Sequence, residues 1–292
     1  MDLLIIILAL IYLVIATISD IKTQEIPDSL NYSFIAIGLF IYTIKTITTG
    51  ETAYLLASLI TFGSFFIIGN IMYYTKQWGG GDLKLLMGMG ALLPIYPSII
   101  LETFPIRASN YLGVDLFLNI LLVGSAYALL FAFYLAIKNR KQFAKKLKEE
   151  YNKKKVKIRE KIFWVLIILI NILGYFLSET NIQKLFILSM SILFLSLNYL
   201  ILVVKAIEDI SMYSIIDTKK LREGDAITKE IKTDNKTLYT PTLHGVSKKQ
   251  IIEIQKHLEK VEIKSGIAFA PSFLIGTILT LLVGNIFLYL LP

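Results

Sequence analysis

The sequence predicts an all-α polytopic membrane protein with about eight transmembrane helices and a small cytoplasmic α+β insertion before the last helix. Of its 292 residues, 55% are hydrophobic and 18% are charged, and the mean hydropathy of +0.65 is far above that of a soluble domain. Apolar runs long enough to cross a bilayer recur at roughly 3–19, 32–48, 53–74, 83–103, 115–137, 161–177, 184–204 and 267–291. None of them alternates between polar and apolar residues, so each is expected to be a helix.

Two details of these runs bear on the helices that they form. The first run lacks a basic leader and a small-residue cleavage site, so we expect a retained helix rather than a signal peptide. Pro94 and Pro97 interrupt the fourth run, and Pro271 should start or kink the last helix.

The basic residues predict the orientation of the chain in the membrane. Twelve Lys and Arg residues fall between 138 and 161, in the fifth link between runs, and twelve more between 205 and 264, in the seventh. The even-numbered links carry little charge, so the odd-numbered links are expected in the cytoplasm and both termini outside. Basic loops of this kind attract anionic lipid headgroups, so the net charge of +8 does not require a nucleic-acid partner.

The absence of cysteine excludes disulfides, Cys-ligated zinc and thiol catalysis. Both histidines, His244 and His257, lie in one polar region, so a His-based metal site in the membrane is not expected. We therefore predict no metal and no cofactor.

The two polar stretches differ in what they predict. Residues 138–160 are helix-prone, and they are either a solvated helical extension or a contact for a partner protein. Residues 205–265 are long enough for a small subdomain, in which Gly224–Asp225 and Asp234–Asn235 are turn signals between short strands. Ser247 followed by Gln250 resembles a capping box opening an amphipathic helix, whose apolar stripe contains Ile251, Ile254, Leu258 and Val261.

Ionisable residues at the edges of membrane spans indicate where chemistry can occur, because they are costly to bury. Glu102 and Asp115 border an outer link, where solvated acids are expected. Asp20 ends the first run and Asp82 precedes the fourth, so both are expected at the cytoplasmic face and at one depth. An acidic pair at matched depth is more informative than either residue alone.

The sequences around these two acids are alike. Both are followed two positions later by a lysine, which can reach the headgroups while its aspartate faces inward. Gly79, Gly80 and Gly81 precede Asp82. They are either an ordinary loop or an open backbone beside which an extended peptide can lie.

Two carboxylates within a few ångströms cannot easily both ionise, so they share a proton. The ionised member can deprotonate a water while the protonated member hydrogen-bonds a scissile carbonyl, which is aspartic-protease chemistry. Asp82 would lie near a helix N-terminus and Asp20 near a helix C-terminus, so the helix dipoles favour Asp82 as the base and Asp20 as the proton donor.

At these residues the sequence resembles the archaeal preflagellin (prearchaellin) and type IV prepilin peptidases, the GxGD class of membrane aspartic proteases. The resemblance rests on SDIKTQEIPDSLN (19–31), GGGDLKLLMGMGALLP (79–94) and, more loosely, LREGDAI and GIAFAPSFLIG in the C-terminal third. It implies an enzyme that removes the short basic leader of pilin-like or archaellin precursors at the cytoplasmic face of the plasma membrane. It also implies that Asp20 and Asp82 are the catalytic pair, with Gly79 and Gly81 completing GxGD.

The chain departs from this family in two respects. Bacterial members often carry paired CxxC motifs and N-methylate the product, whereas this chain has no cysteine, so we infer neither zinc nor methyl transfer. The extra runs at 161–177 and 184–204 indicate a longer subtype, which leaves open whether archaellin, a pilin or both are substrates. Glu25 and Asp28 either attract the basic leader or, for Asp28 after Pro27, cap the second helix.

Together these features predict five regions. They are a catalytic membrane core at 1–137, a basic cytoplasmic loop at 138–160, two further spans at 161–204, a cytoplasmic subdomain at 205–265 and a C-terminal span at 266–292. The competing interpretations are a cation- or proton-coupled transporter and a presenilin-like intramembrane protease. Transport sites lie near the midplane, and presenilin-like proteases carry a Tyr-Asp pair, whereas Ser19 precedes Asp20 here.

Overall fold

The computed structural model describes residues 1–109, 111–233, 236–242, 245–264 and 266–290. They fall into two compact units. The first, called here the membrane bundle, contains residues 1–129 and 266–290, and the second contains residues 130–264.

The described residues form helices α1 (Asp2–Thr23), α2 (Asp28–Thr49), α3 (Ala53–Tyr74), α4 (Gly80–Leu92), α5 (Ser98–Thr103), α6 (Leu112–Lys138), α7 (Arg140–Asn152), α8 (Lys154–Leu177), α9 (Asn181–Ser211), α10 (Lys248–His257), α11 (Ala270–Val283) and α12 (Phe287–Leu290). The strands are β1 (Tyr213–Asp217), β2 (Ala226–Ile227), β3 (Ile231–Thr233), β4 (Lys236–Tyr239) and β5 (Lys260–Lys264).

Six of the helices, α1, α2, α3, α6, α8 and α9, are long and apolar enough to cross a membrane, which gives the chain the character of a multi-pass membrane protein. The predicted count of eight is not confirmed, because two of the apolar runs do not form one long helix. The fourth run is divided into α4 and α5 on either side of Pro94. In the last run α11 ends at Gly284, whose φ of 83° stops the helix, although Pro271 lies in its first turn as predicted.

Glycines allow α4 to pack closely between α2 and α3. A Cβ on Gly88 would lie 2.5 Å from the Phe34 ring of α2, and one on Gly90 would lie 2.9 Å from the Thr61 carbonyl oxygen of α3. A Cβ on Gly38 of α2 would lie 2.7 Å from the backbone of Ala91. Small residues at these positions therefore let the three helices approach closely.

A buried polar cluster joins α6 to the segment that follows α11. Asp115 is fully buried, and its carboxylate accepts hydrogen bonds from the Tyr96 hydroxyl at 2.6 Å, the Ser109 N–H at 2.8 Å and the Asn285 side-chain amide at 2.7 Å. The prediction of a solvated edge acid is wrong for Asp115, because three donors replace its water. Glu102 is exposed, as predicted.

The second unit contains the insertion. Strands β1, β5 and β2 form an antiparallel sheet in that order, and β3 pairs with β4 in a hairpin. Gly224 lies in a turn with a φ of 94°, whereas Asp234, Asn235 and His244 lie outside the described residues.

The predicted capping box opens α10, because the Ser247 hydroxyl accepts a hydrogen bond from the Gln250 N–H. The predicted amphipathic helix is nevertheless too long. It ends at His257, with Ile251 and Ile254 buried, and Val261 lies in β5. The sequence did not predict β5, because Val261 in this strand also has the spacing that continues the apolar stripe of α10.

Close packing at α4 predicts different costs for the same substitution at two membrane-helix glycines. Gly38→Ala should destabilise the protein by about 1–3 kcal/mol, because the new methyl group would overlap backbone atoms of α4. Gly63→Ala is the matched control, since a Cβ there has no atom within 4 Å. Thermal unfolding in detergent should show a lower midpoint for Gly38→Ala alone, and equal midpoints for both variants would contradict the packing.

Candidate active site

Asp20 lies near the end of α1, where its carboxylate points to the start of α11. The residue is buried, and its Oδ2 accepts a hydrogen bond of 2.8 Å from the backbone N–H of Ala270. The helix ends just beyond it, because Gln24 takes the left-handed conformation with a φ of 55° and its N–H bonds to the Asp20 carbonyl. The Asp20 carboxylate thus joins the end of α1 to the start of α11, 250 residues away in the chain.

Asp82 occupies the first turn of α4, directly after the three glycines. Its Oδ2 accepts a hydrogen bond of 3.1 Å from the backbone N–H of Gly79, the residue that caps this helix. The bond is the reciprocal half of a capping box, and it satisfies an amide that would otherwise have no intrahelical partner.

The glycine segment brings the loop after α1 onto the start of α4. A Cβ on Gly81 would lie 3.2 Å from the Cβ of Ile26, so the loop packs tightly against this glycine. The side-chain amide of Asn31 in α2 also reaches the Gly81 carbonyl, at 3.4 Å. A Cβ on Gly80 would make an ordinary van der Waals contact with the Tyr73 ring, at 3.8 Å.

The two carboxyl groups act on each other. Asp82 lies outside the six long helices, and burial together with the neighbouring charge of Asp20 raises the pKa of its carboxyl to about 7. The Asp82 carboxyl therefore keeps its proton to a higher pH than an ordinary aspartate does.

Glu25 and Asp28 follow Asp20 but take no direct part in its contacts among those described. Glu25 is exposed, and its backbone carbonyl accepts hydrogen bonds from Ser19 at 2.8 Å and Thr23 at 3.1 Å. Asp28 is the first residue of α2 rather than its cap, because Pro27 occupies the cap position. Its carboxylate forms an ion pair with Lys84, so this lysine contacts an acid rather than only headgroups.

Sequence reasoning missed the aromatic contacts beside the glycines. Trp78 is 8% exposed, and its ring centre lies 5.5 Å from that of Phe269 and 5.4 Å from that of Phe273. The only signals were the tryptophan itself, placed directly before the glycines, and the GIAFAPSFLIG segment, which has no pattern linking it to Asp20.

The first part of the chain is similar to known peptidases. Residues 7–137 match the type IV leader peptidase family. Over 102 residues, 35% of this chain and 41% of the relative, it is 39% identical to the preflagellin peptidase of Methanococcus voltae. Over 145 residues, 48% of this chain and 38% of the relative, it is 27% identical to the prepilin peptidase EppA of Methanothermobacter thermautotrophicus.

A third relative, the preflagellin peptidase of Methanocaldococcus jannaschii, is 37% identical over 84 residues, 29% of this chain and 36% of the relative. The chain therefore spans less than half the length of the relatives it matches. No solved structure matches this chain. The matched segment contains both Asp20 and Asp82, and the resemblance to archaeal preflagellin and prepilin peptidases is confirmed.

The raised pKa of Asp82 predicts how stability depends on pH. The folded protein binds a proton at Asp82 more tightly than the unfolded chain does, so this residue lowers the free energy of unfolding as pH rises from 3.8 to about 7. Asp82→Asn removes the titrating group. Its thermal midpoint relative to wild type should therefore be higher at about pH 8 than at about pH 5.

Glu102→Gln is the matched control for this comparison, because it removes one carboxylate at an exposed position. Thermal unfolding of the three proteins in one detergent measures the effect. The same difference between Asp82→Asn and wild type at both pH values would show that Asp82 is not protonated in the folded state.

Proposed function

We propose, from the match of residues 7–137 to the type IV leader peptidase family, that this chain is a membrane aspartic endopeptidase of the GxGD class. Its substrates are prepilin- or prearchaellin-like precursors, from which it removes a short basic leader. The observation that carries the proposal is the electrostatic coupling of Asp20 and Asp82, two acids from separate helices within the matched segment.

The proposed reaction uses one ionised and one protonated carboxyl group. The ionised carboxylate takes a proton from water while the water oxygen bonds to the scissile carbonyl carbon. The protonated carboxyl gives its proton to the carbonyl oxygen, which yields a neutral gem-diol. When the C–N bond breaks, the leaving nitrogen takes the proton from the first carboxyl and the gem-diol returns one to the second.

The backbone around Gly79–Gly81 supports this chemistry by leaving space for a peptide. An extended substrate needs to lie within hydrogen-bonding distance of the catalytic groups, and side chains at these positions would hold it away. The reaction requires no metal and no cofactor.

The position of the acids at helix ends supports cleavage near a membrane face. Asp20 lies in the last turn of α1 and Asp82 in the first turn of α4. The positive-inside rule, applied to the basic links, assigns these ends to the cytoplasm. A precursor would then present its leader at that face, with its hydrophobic segment in the bilayer.

Loss of either catalytic aspartate should abolish cleavage. Co-expression of the full chain with a tagged pilin-like precursor should show cleavage that falls at least about 100-fold in Asp20→Asn and in Asp82→Asn, since general acid–base groups contribute that much. Glu102→Gln controls for charge removal at an exposed site. Wild-type cleavage by either asparagine variant, inserted normally in the membrane, would reject the proposal.

Glu25 and Asp28 are proposed to attract the basic leader. Because Lys84 already pairs with Asp28, Glu25 carries the freer charge of the two. Changing both residues to amides should raise the KM for a Lys-rich precursor about two- to fivefold and weaken its dependence on salt. A precursor with neutral residues in its leader is the control, and an unchanged KM for the Lys-rich form would exclude this role.

A further inference from the structure

We propose that the start of α11 is a third part of this active centre and that its backbone amides hold Asp20 as the ionised base, which leaves Asp82 to carry the proton. The inference rests on the proposed peptidase function. It assigns a positioning role to Phe269 and Ala270, which lie outside the segment that matches the peptidase family.

The first support is the number of donors at each acid. Asp20 accepts the Ala270 N–H at 2.8 Å, and the N–H of Phe269 also interacts with it. Asp82 accepts the Gly79 N–H at the longer distance of 3.1 Å. Successive backbone N–H groups at a helix start stabilise a negative charge. The ionised form of Asp20 is therefore stabilised more than that of Asp82.

This assignment reverses the one that helix direction alone predicts. Asp20 does lie near the C-terminal end of α1, where a charge is disfavoured. However, the dipole of another helix, α11, points its positive end at the same carboxylate. The direct hydrogen bond is shorter-ranged and stronger than the effect of the parent helix, so α11 decides the charge.

The second support is that the same segment contacts both catalytic motifs. The side chain of Gln24, which follows Asp20, donates a hydrogen bond of 2.9 Å to the Gly266 carbonyl. Phe269 and Phe273 pack against Trp78, which precedes the glycines and Asp82. Residues 266–273 therefore fix the ends of α1 and α4 at the same time, as a positioning element must.

The third support comes from α6. A Cβ on Gly124 would lie 2.4 Å from the ring of Phe269, so glycine is needed for α6 to approach the start of α11. One turn later, the phenol of Tyr127 lies within electrostatic reach of Asp20. Among the described residues, the charge of Asp20 acts on the ionisable groups of Asp82 and Tyr127, while Asp28 of α2 is paired with Lys84.

Two buried hydroxyl groups lie near the contact between Asp20 and the start of α11. Thr17, one turn before Asp20 on the same face of α1, and Ser272, in the first turn of α11, are both at least nine-tenths buried. Neither hydroxyl oxygen has a hydrogen-bond partner. Buried polar atoms are normally hydrogen-bonded, so these two hydroxyl groups leave unused hydrogen-bonding capacity beside the start of α11.

The inference is tested by removing one N–H. Ala270→Pro deletes the donor at a position where helices accept proline, and Ala270→Gly is the matched variant that keeps it. In the pH profile of precursor cleavage by the full chain, the acidic limb should move up by about one pH unit in Ala270→Pro relative to Ala270→Gly. Coincident acidic limbs in the two variants would overturn the role of the amide.

A second measurement does not depend on activity or on the proline variant. Infrared difference spectra of the purified protein at about pH 5 should show a protonated carboxyl band that is lost in Asp82→Asn. In Asp20→Asn the band should remain at this pH, because burial, the larger cause of the raised Asp82 pKa, is unchanged. A band lost in Asp20→Asn instead would reverse the assignment and overturn the inference. Failure of the proposed function appears separately, as absence of precursor cleavage by the wild-type chain.

Discussion

The close approach of the loop after α1 to the first turn of α4 is the constraint on which the whole site depends. It is favoured by the missing side chain of Gly81, because a Cβ there would lie 3.2 Å from the Cβ of Ile26. This approach brings two carboxyl groups from separate helices close enough for one to raise the pKa of the other. Two negative charges buried near each other repel, which is why Asp82 holds its proton to a higher pH than an exposed aspartate does.

The parts of this arrangement that the sequence predicted were those with a local pattern. Asp20 and Asp82 each carry a lysine two positions later, and glycines mark the backbone before Asp82. Likewise, a serine and a glutamine three positions apart predicted the start of α10. These signals are visible because they act within one turn of a helix or within one loop.

The parts that it did not predict depend on contacts between distant segments. No pattern around Ala270 shows that its amide lies against Asp20, and none shows that Asp115 meets Tyr96 and Asn285 in a buried position. The number of spans failed for a related reason. Hydropathy measures whether a segment tolerates lipid, but Pro94 and Gly284 decide where the backbone stops being a helix.

The compact bundle is assembled from two pieces of chain, 1–129 and 266–290, with residues 130–264 inserted between them. A shortened polypeptide that ended after α6 would retain every residue of the family match and both aspartates, yet Asp20 would face no amide. A shortened form that keeps this contact must therefore include the C-terminal piece, either fused through a new linker or added as a separate fragment. A truncation at the end of the family match, residue 137, would remove Ala270.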